Sequence, residues 1–101
     1  MKEHTLKVKA KDYFREKGYL SWMPPRVKWL KEQDIFGIWD GIAWRRNKFI
    51  FFQLTTISNK SARLKKIINF MMPSRLYITS PVKGWLMCYR KKTNQFEISE
   101  I

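Results

Sequence analysis

The sequence predicts an α/β domain in which a mixed β-sheet is flanked by helices. Three observations predict it: two segments carry apolar residues at helical spacing, two others are apolar at nearly every position, and the types run in the order helix, strands, helix, strands. The whole chain, residues 1–101, reads as one domain, because 101 residues suffice for a single small core and leave no room for a second.

From Thr5 to Lys17 the residues Leu6, Ala10, Tyr13 and Phe14 fall on one helical face, with Thr5 placed as a cap and Gly18 as a stop. Lys7, Lys9 and Lys11 spread around the remaining surface. Tyr19 to Leu30 contains Pro24-Pro25, which excludes a helix or a central strand, so a loop leading into a short extended piece at Arg26 to Leu30 is expected. Asp34 to Trp44 and Lys48 to Thr56 are apolar on both parities, as strands covered on both faces are, and a hairpin through Arg45-Arg46-Asn47 joins them. Ser58 or Asn59 can cap a second helix carrying Leu64, Ile67, Ile68 and Met71, which Pro73 ends. Three strands are then expected, at Arg75 to Ser80, Trp85 to Arg90 and Gln95 to Ser99.

Composition narrows the function classes. Lysine and arginine total 21 against 8 acids, a net charge of +13, which points to a polyanionic partner. A content of 45% hydrophobic and 16% aromatic residues excludes a disordered basic tail. Cys88 is the one cysteine, so an intramolecular disulfide and a Cys-rich zinc site are both excluded and a reducing compartment is the default. No apolar run reaches the ~18–20 residues of a membrane span, and Met1-Lys2-Glu3-His4 leads into a lysine-rich stretch; a cytoplasmic protein without membrane contact is expected. A single His4, in a segment prone to fraying, completes no catalytic triad and no metal motif.

Two of the eight acids, Asp34 and Asp40, stand in the most apolar part of the chain, where a charge is costly unless it meets a cation or several donors. On a straight strand their spacing of six keeps both on one face. A two-residue loop at Arg46-Asn47 would pair Arg45 with Lys48 and set Asp40 opposite Gln53, whereas a three-residue loop would set it opposite Phe52. Asp34, Asp40 and the Gln53 amide oxygen together make a ligand set suited to Mg²⁺ (or Mn²⁺), which takes oxygen donors. The alternative is structural: both acids pair with basic residues or cap turns at Gly37 and Gly41.

Asp40, the hairpin, Gln53-Leu54-Thr55 and the helix that follows resemble the core of the PD-(D/E)XK nuclease superfamily, in which an Asp on one strand and an acid-x-Lys on the next assemble a metal site. The small Holliday junction resolvases are similar in size and layout. A closer similarity is to a group of small nuclease-like proteins, carried by Asp34-Ile35-Phe36-Gly37-Ile38-Trp39-Asp40, Gln53-Leu54-Thr55, Ala62-Arg63-Leu64-Lys65-Lys66-Ile67 and Gly84-Trp85. The resemblance implies an α-β-β-β-α-β restriction-endonuclease-like core and metal-dependent hydrolysis of DNA, with branched DNA among the substrates. It implies Asp34, Asp40, Gln53, Thr55 and Lys65 as the catalytic set. Gln53-x-Thr55 departs from acid-x-Lys by replacing a charged ligand with an amide and removing an ammonium. Lys60 or Lys65 is then the candidate to replace that lysine, and Glu16 the candidate for the acid that the family places in its first helix.

Arg45 and Arg46 at the hairpin tip, and Lys60, Arg63 and Lys66 on the second helix, are the expected nucleic-acid contacts, with DNA as partner and RNA as a further possibility. Trp22, beside Pro24-Pro25, and then Trp44 are the aromatics expected to be exposed for base stacking. The apolar surplus also fits a homodimer. Besides the nuclease, two functions stay open: a weak or inactive nuclease-like module that binds nucleic acid, and a protein whose basic surface takes an acidic protein partner.

Overall fold

The computed structural model describes residues 3–25, 34–74 and 82–101. Helix α1 spans Glu3–Glu16, strand β1 Leu20–Trp22, β2 Gly41–Arg45, β3 Lys48–Thr56, helix α2 Lys60–Ser74, β4 Val82–Arg90 and β5 Gln95–Glu100. The expected α-β-β-β-α-β order is therefore present, with a fifth strand appended. The sheet order is β1-β2-β3-β4-β5. β1, β2 and β3 run antiparallel, β3 and β4 run parallel, and β5 returns antiparallel to β4. A parallel pair needs a crossover, and α2 supplies it.

Alternation along the strands divides the core in two. Ile50, Phe52 and Leu54 of β3, with Met87 and Tyr89 of β4, pack on Leu6, Ala10 and Phe14 of α1. Leu86 of β4, with Phe51 packed alongside, joins Ile67 and Met71 of α2 together with Ile38 and Trp39. One helix thus covers each face, which explains why β3 and β4 read as continuous apolar runs. Among the described residues no helix is long and apolar enough to cross a membrane.

Local chemistry sets the element ends. Gly18, at φ +79°, adopts the left-handed conformation that stops α1 where expected, although the helix begins two residues earlier than Thr5. A 3-10 turn over Ile57–Asn59 precedes α2, and Pro73 sits in the helix's last turn. β3 has the expected bounds.

Three expectations change. Leu20–Trp22, read as loop, is an edge strand, because pairing of Leu20 with Trp44 supplies partners that the local sequence does not reveal. Asp34 to Asp40 is not a continuation of β2. Positive φ at Phe36 and Gly37 turns the chain back so that Ile35 N–H donates to Trp39 O (2.8 Å) and Trp39 N–H to Ile35 O (3.0 Å). β4 begins at Val82, three residues before the strand expected from Trp85. The pieces expected at Arg26 to Leu30 and Arg75 to Ser80 lie outside the described residues.

Gly41 opens β2 where the chain is most crowded. A Cβ there would lie 2.6 Å from Trp22 O, Met23 Cγ and Phe52 Cζ, and the first of these is backbone. Gly41→Ala is therefore expected to destabilise the fold by ~1–3 kcal/mol, as overpacking does, and a thermal melt unchanged from wild type would contradict this packing.

Candidate functional site

The register of the β2–β3 hairpin decides where Asp40 goes. Arg45 pairs with Lys48, so the loop has two residues. At the other end Gly41 pairs with Phe52, yet Asp40 N–H also donates to Phe52 O (2.8 Å). Two consecutive residues thus face one, which is a β-bulge, and the register slips by one at Asp40. The expected juxtaposition of Asp40 with Gln53 does not form. Instead Asp40 Oδ2 accepts the Leu54 N–H at 2.6 Å. β2 has ended by then, so this carboxylate takes the place of the next backbone carbonyl that β2 would offer to β3.

The turn between Asp34 and Asp40 brings the two acids together. Ile35 and Trp39 bond across its neck, and the acids are the next residue on each side. Both line a cavity of about 270 Å³. The straight strand on which a shared face was expected does not form; a closed loop brings the two acids to one cavity instead. Leu54, Thr55 and Thr56 at the end of β3 form the floor, Leu6 and Lys7 of α1 one wall, and Asn59 and Arg63 the other. α2 begins at this cavity with no acid in its first turn, and Lys7 and Arg63 bring positive charge to it.

Of the remaining expected residues, Thr55 lines the cavity and its hydroxyl donates to Thr56 O (3.2 Å). Gln53, 1% exposed, is not in the lining; its Oε1 is buried without a protein hydrogen-bond partner. Lys65 and Lys66 are exposed on α2 outside the lining, and Arg45 and Arg46 lie at the opposite end of β3. Glu16 lines a separate groove with Asp12 and Lys17, because α1 carries it to the far end of the helix from Leu6 and Lys7.

Lys60 is engaged elsewhere. Its ammonium donates to Glu97 of β5, and Arg90 Nε donates to the same carboxylate at 2.6 Å, so Glu97 ties the start of α2 to β4 and β5. Lys60 and Lys65 are thus outside the cavity lining, and Lys7 and Arg63 are the cations in it among the described residues. Arg63 was among the expected nucleic-acid contacts. Lys7 was not singled out, and its position beside the core-facing Leu6 was the available signal; which strand end that turn overlies is decided by tertiary packing.

Among the described residues the exposed tryptophans are those expected, Trp22 at 52% and Trp44 at 54%. Cys88 is buried, and burial raises its thiol pKa, as suits a filler of the core. Among the described residues no three His, Cys, Asp or Glu side chains converge, so a cation here would draw on two carboxylates, on hydroxyl and amide oxygens and on water. The donors are all oxygens, which fits a hard divalent ion.

No family model matches this chain, and no curated protein matches it.

The Lys60 and Arg90 hydrogen bonds lower the Glu97 carboxyl pKa, that from Lys60 most, so the unfolded chain binds its proton more readily than the folded one. This stability is present above the unfolded value of ~4.3 and is lost as pH falls through the lower folded value. The melting temperature of wild type is expected to fall more steeply below about pH 4.3 than that of Glu97→Gln; parallel curves would show that the triad contributes nothing.

Proposed function

We propose that the protein is a Mg²⁺- or Mn²⁺-dependent endonuclease that hydrolyses phosphodiester bonds in DNA at this cavity. The observation that carries the reading is the convergence of Asp34 and Asp40 with Lys7 and Arg63 in one cavity at the end of β3. Carboxylates suit a divalent cation, while the basic groups suit the phosphate that would accompany it. The α-β-β-β-α-β order, with the acids where β2 begins and the hydroxyls at the end of β3, is what the nuclease resemblance implied.

Asp34 and Asp40 would hold the cation, and Thr55 and Thr56 add oxygens nearby. Asp40 gives one oxygen partly to Leu54 N–H, and that bond fixes its carboxylate against the sheet. Each carboxylate has about four lone-pair sites, so accepting this bond leaves capacity for a ligand role. A divalent ion bound there supplies positive charge to the phosphate and lowers the pKa of a coordinated water. Lys7 and Arg63 bind non-bridging phosphate oxygens and stabilise the charge that grows on them as the water oxygen bonds to phosphorus and the ester P–O bond breaks. The attacking water gives up a proton to solvent, and the departing alkoxide takes one from it.

A second reading, a weak or inactive nuclease-like module that binds nucleic acid, is favoured by one observation. Gln53 is neutral and outside the lining, and no lysine stands at position 55.

Cleavage of labelled linear duplex, single-stranded and four-way-junction DNA with Mg²⁺, Mn²⁺ or EDTA separates the two. Asp40→Asn is the informative variant, since its amide oxygen still accepts the Leu54 N–H while the charge is lost. Metal-dependent cutting that falls on the order of 100-fold in Asp40→Asn and in Lys7→Met is expected. Binding without cutting by wild type would establish the second reading.

Gln53→Glu restores a charged oxygen donor beside the site. It is expected to melt lower than wild type in EDTA, because burying an unpaired carboxylate is costly, and to gain more in melting temperature on adding Mn²⁺. An equal Mn²⁺ response in the two proteins would show that a carboxylate at position 53 does not reach a bound ion.

A further inference from the structure

A second basic surface lies at the other end of β3. The β2–β3 hairpin tip and the start of β4 form an open groove lined by Arg45, Arg46, Lys48 and Lys83 together with Tyr19 and Glu100. Four cations face one acid, and that acid is engaged: Glu100 Oε1 accepts the Trp85 Nε1–H at 2.9 Å. Two of the cations are held over aromatic rings, the Arg45 guanidinium 5.7 Å from the Tyr19 centroid and the Lys48 ammonium 4.9 Å from that of Trp85. Such contacts limit where the charges can go before any ligand arrives.

The turn itself carries an unfavourable residue. Arg46 has φ +52°, a left-handed conformation that glycine adopts freely and a side chain with a Cβ resists. Trp44 Nε1 donates to Arg46 O at 2.8 Å and pins that conformation, while the indole remains exposed. A local strain kept in place by a neighbouring tryptophan, at a position where glycine would serve the turn better, indicates that the charge is used.

We infer that this hairpin groove is a second phosphate-contact site for nucleic acid, separate from the cavity that holds Asp34 and Asp40. Exposed Trp44 beside the cations favours nucleic acid over an acidic peptide, since bases stack on an indole face and carboxylates do not. β3 runs nine residues from Lys48 to Thr56, so the groove and the cavity stand ~26 Å apart at ~3.3 Å per residue. That separation corresponds to about 8 base pairs along a duplex at ~3.4 Å per step. The inference rests on the proposed reading only for its choice of polyanion.

The test is fluorescence anisotropy of a labelled 20-base-pair DNA duplex in EDTA across a KCl series, with wild type, Arg46→Gly and Asp40→Asn. Arg46→Gly suits the turn, so a melting temperature no lower than that of wild type is expected. Its affinity is expected to fall about 3- to 10-fold and its log Kd against log salt slope to drop by about one, the loss of one phosphate contact. Wild-type affinity and slope in a folded Arg46→Gly would overturn the inference. So would poly-L-glutamate that binds as tightly as the duplex with the same dependence on Arg46. Lack of cleavage by wild type, with the Arg46 dependence of binding intact, would overturn the endonuclease reading and leave the groove standing.

Discussion

The central strand β3 is the constraint on which the rest of the structure depends. It is paired along both edges, antiparallel with β2 and parallel with β4, and covered by α1 on one face and α2 on the other. Every backbone donor and acceptor along it must therefore be met from within the protein. β2 stops at Gly41, four residues short of the end of β3 in the paired register, and Leu54 N–H then has no backbone carbonyl opposite. The Asp40 carboxylate fills that position.

This one bond links the fold to the chemistry. It explains an acid in the most apolar part of the chain without an appeal to function, and it aims that acid at the open end of the strand. The bulge at Asp40 and Gly41 supplies the change of direction, and the closed turn from Ile35 to Trp39 delivers Asp34 to the same place. Beyond the end of β2 the sheet edge gives way to a cavity, and the two helices bring one cation each to its walls. The two basic ends of β3 are then different in kind: one mixes acids with cations around a cavity, the other gathers cations on an open hairpin whose lone acid is bound by Trp85.

The fold was legible where a residue's own chemistry suffices. Leu6, Ala10 and Phe14 marked the inner face of α1, Gly18 its end, and the unbroken apolar run from Phe49 to Leu54 a strand buried on both sides. A hairpin at Arg45-Arg46-Asn47 was readable but its loop length was not, and the pairing of Arg45 with Lys48 makes it two residues. Leu20–Trp22 was not readable as a strand, because three residues beside a proline pair carry no periodicity and gain their partners from β2 alone. Phe36 hid the turn at Gly37, since a bulky residue at positive φ runs against its local preference and is held there by the Ile35 and Trp39 bonds.

For the site, the sequence by itself determined which residues needed explaining: two acids among apolar neighbours, an amide and a threonine late in a buried strand, and a large surplus of cations. It could not distribute those cations. Lys60, Arg63, Lys65 and Lys66 are close together in sequence, yet α2 turns one to Glu97, one to the cavity and two to solvent. Lys7 reaches the cavity from the opposite end of the chain. Helical rotation and the crossover of α2 made those assignments, because a side chain's partner is set by which elements meet, and the parallel pairing of β3 with β4 is a contact between segments that no local pattern encodes.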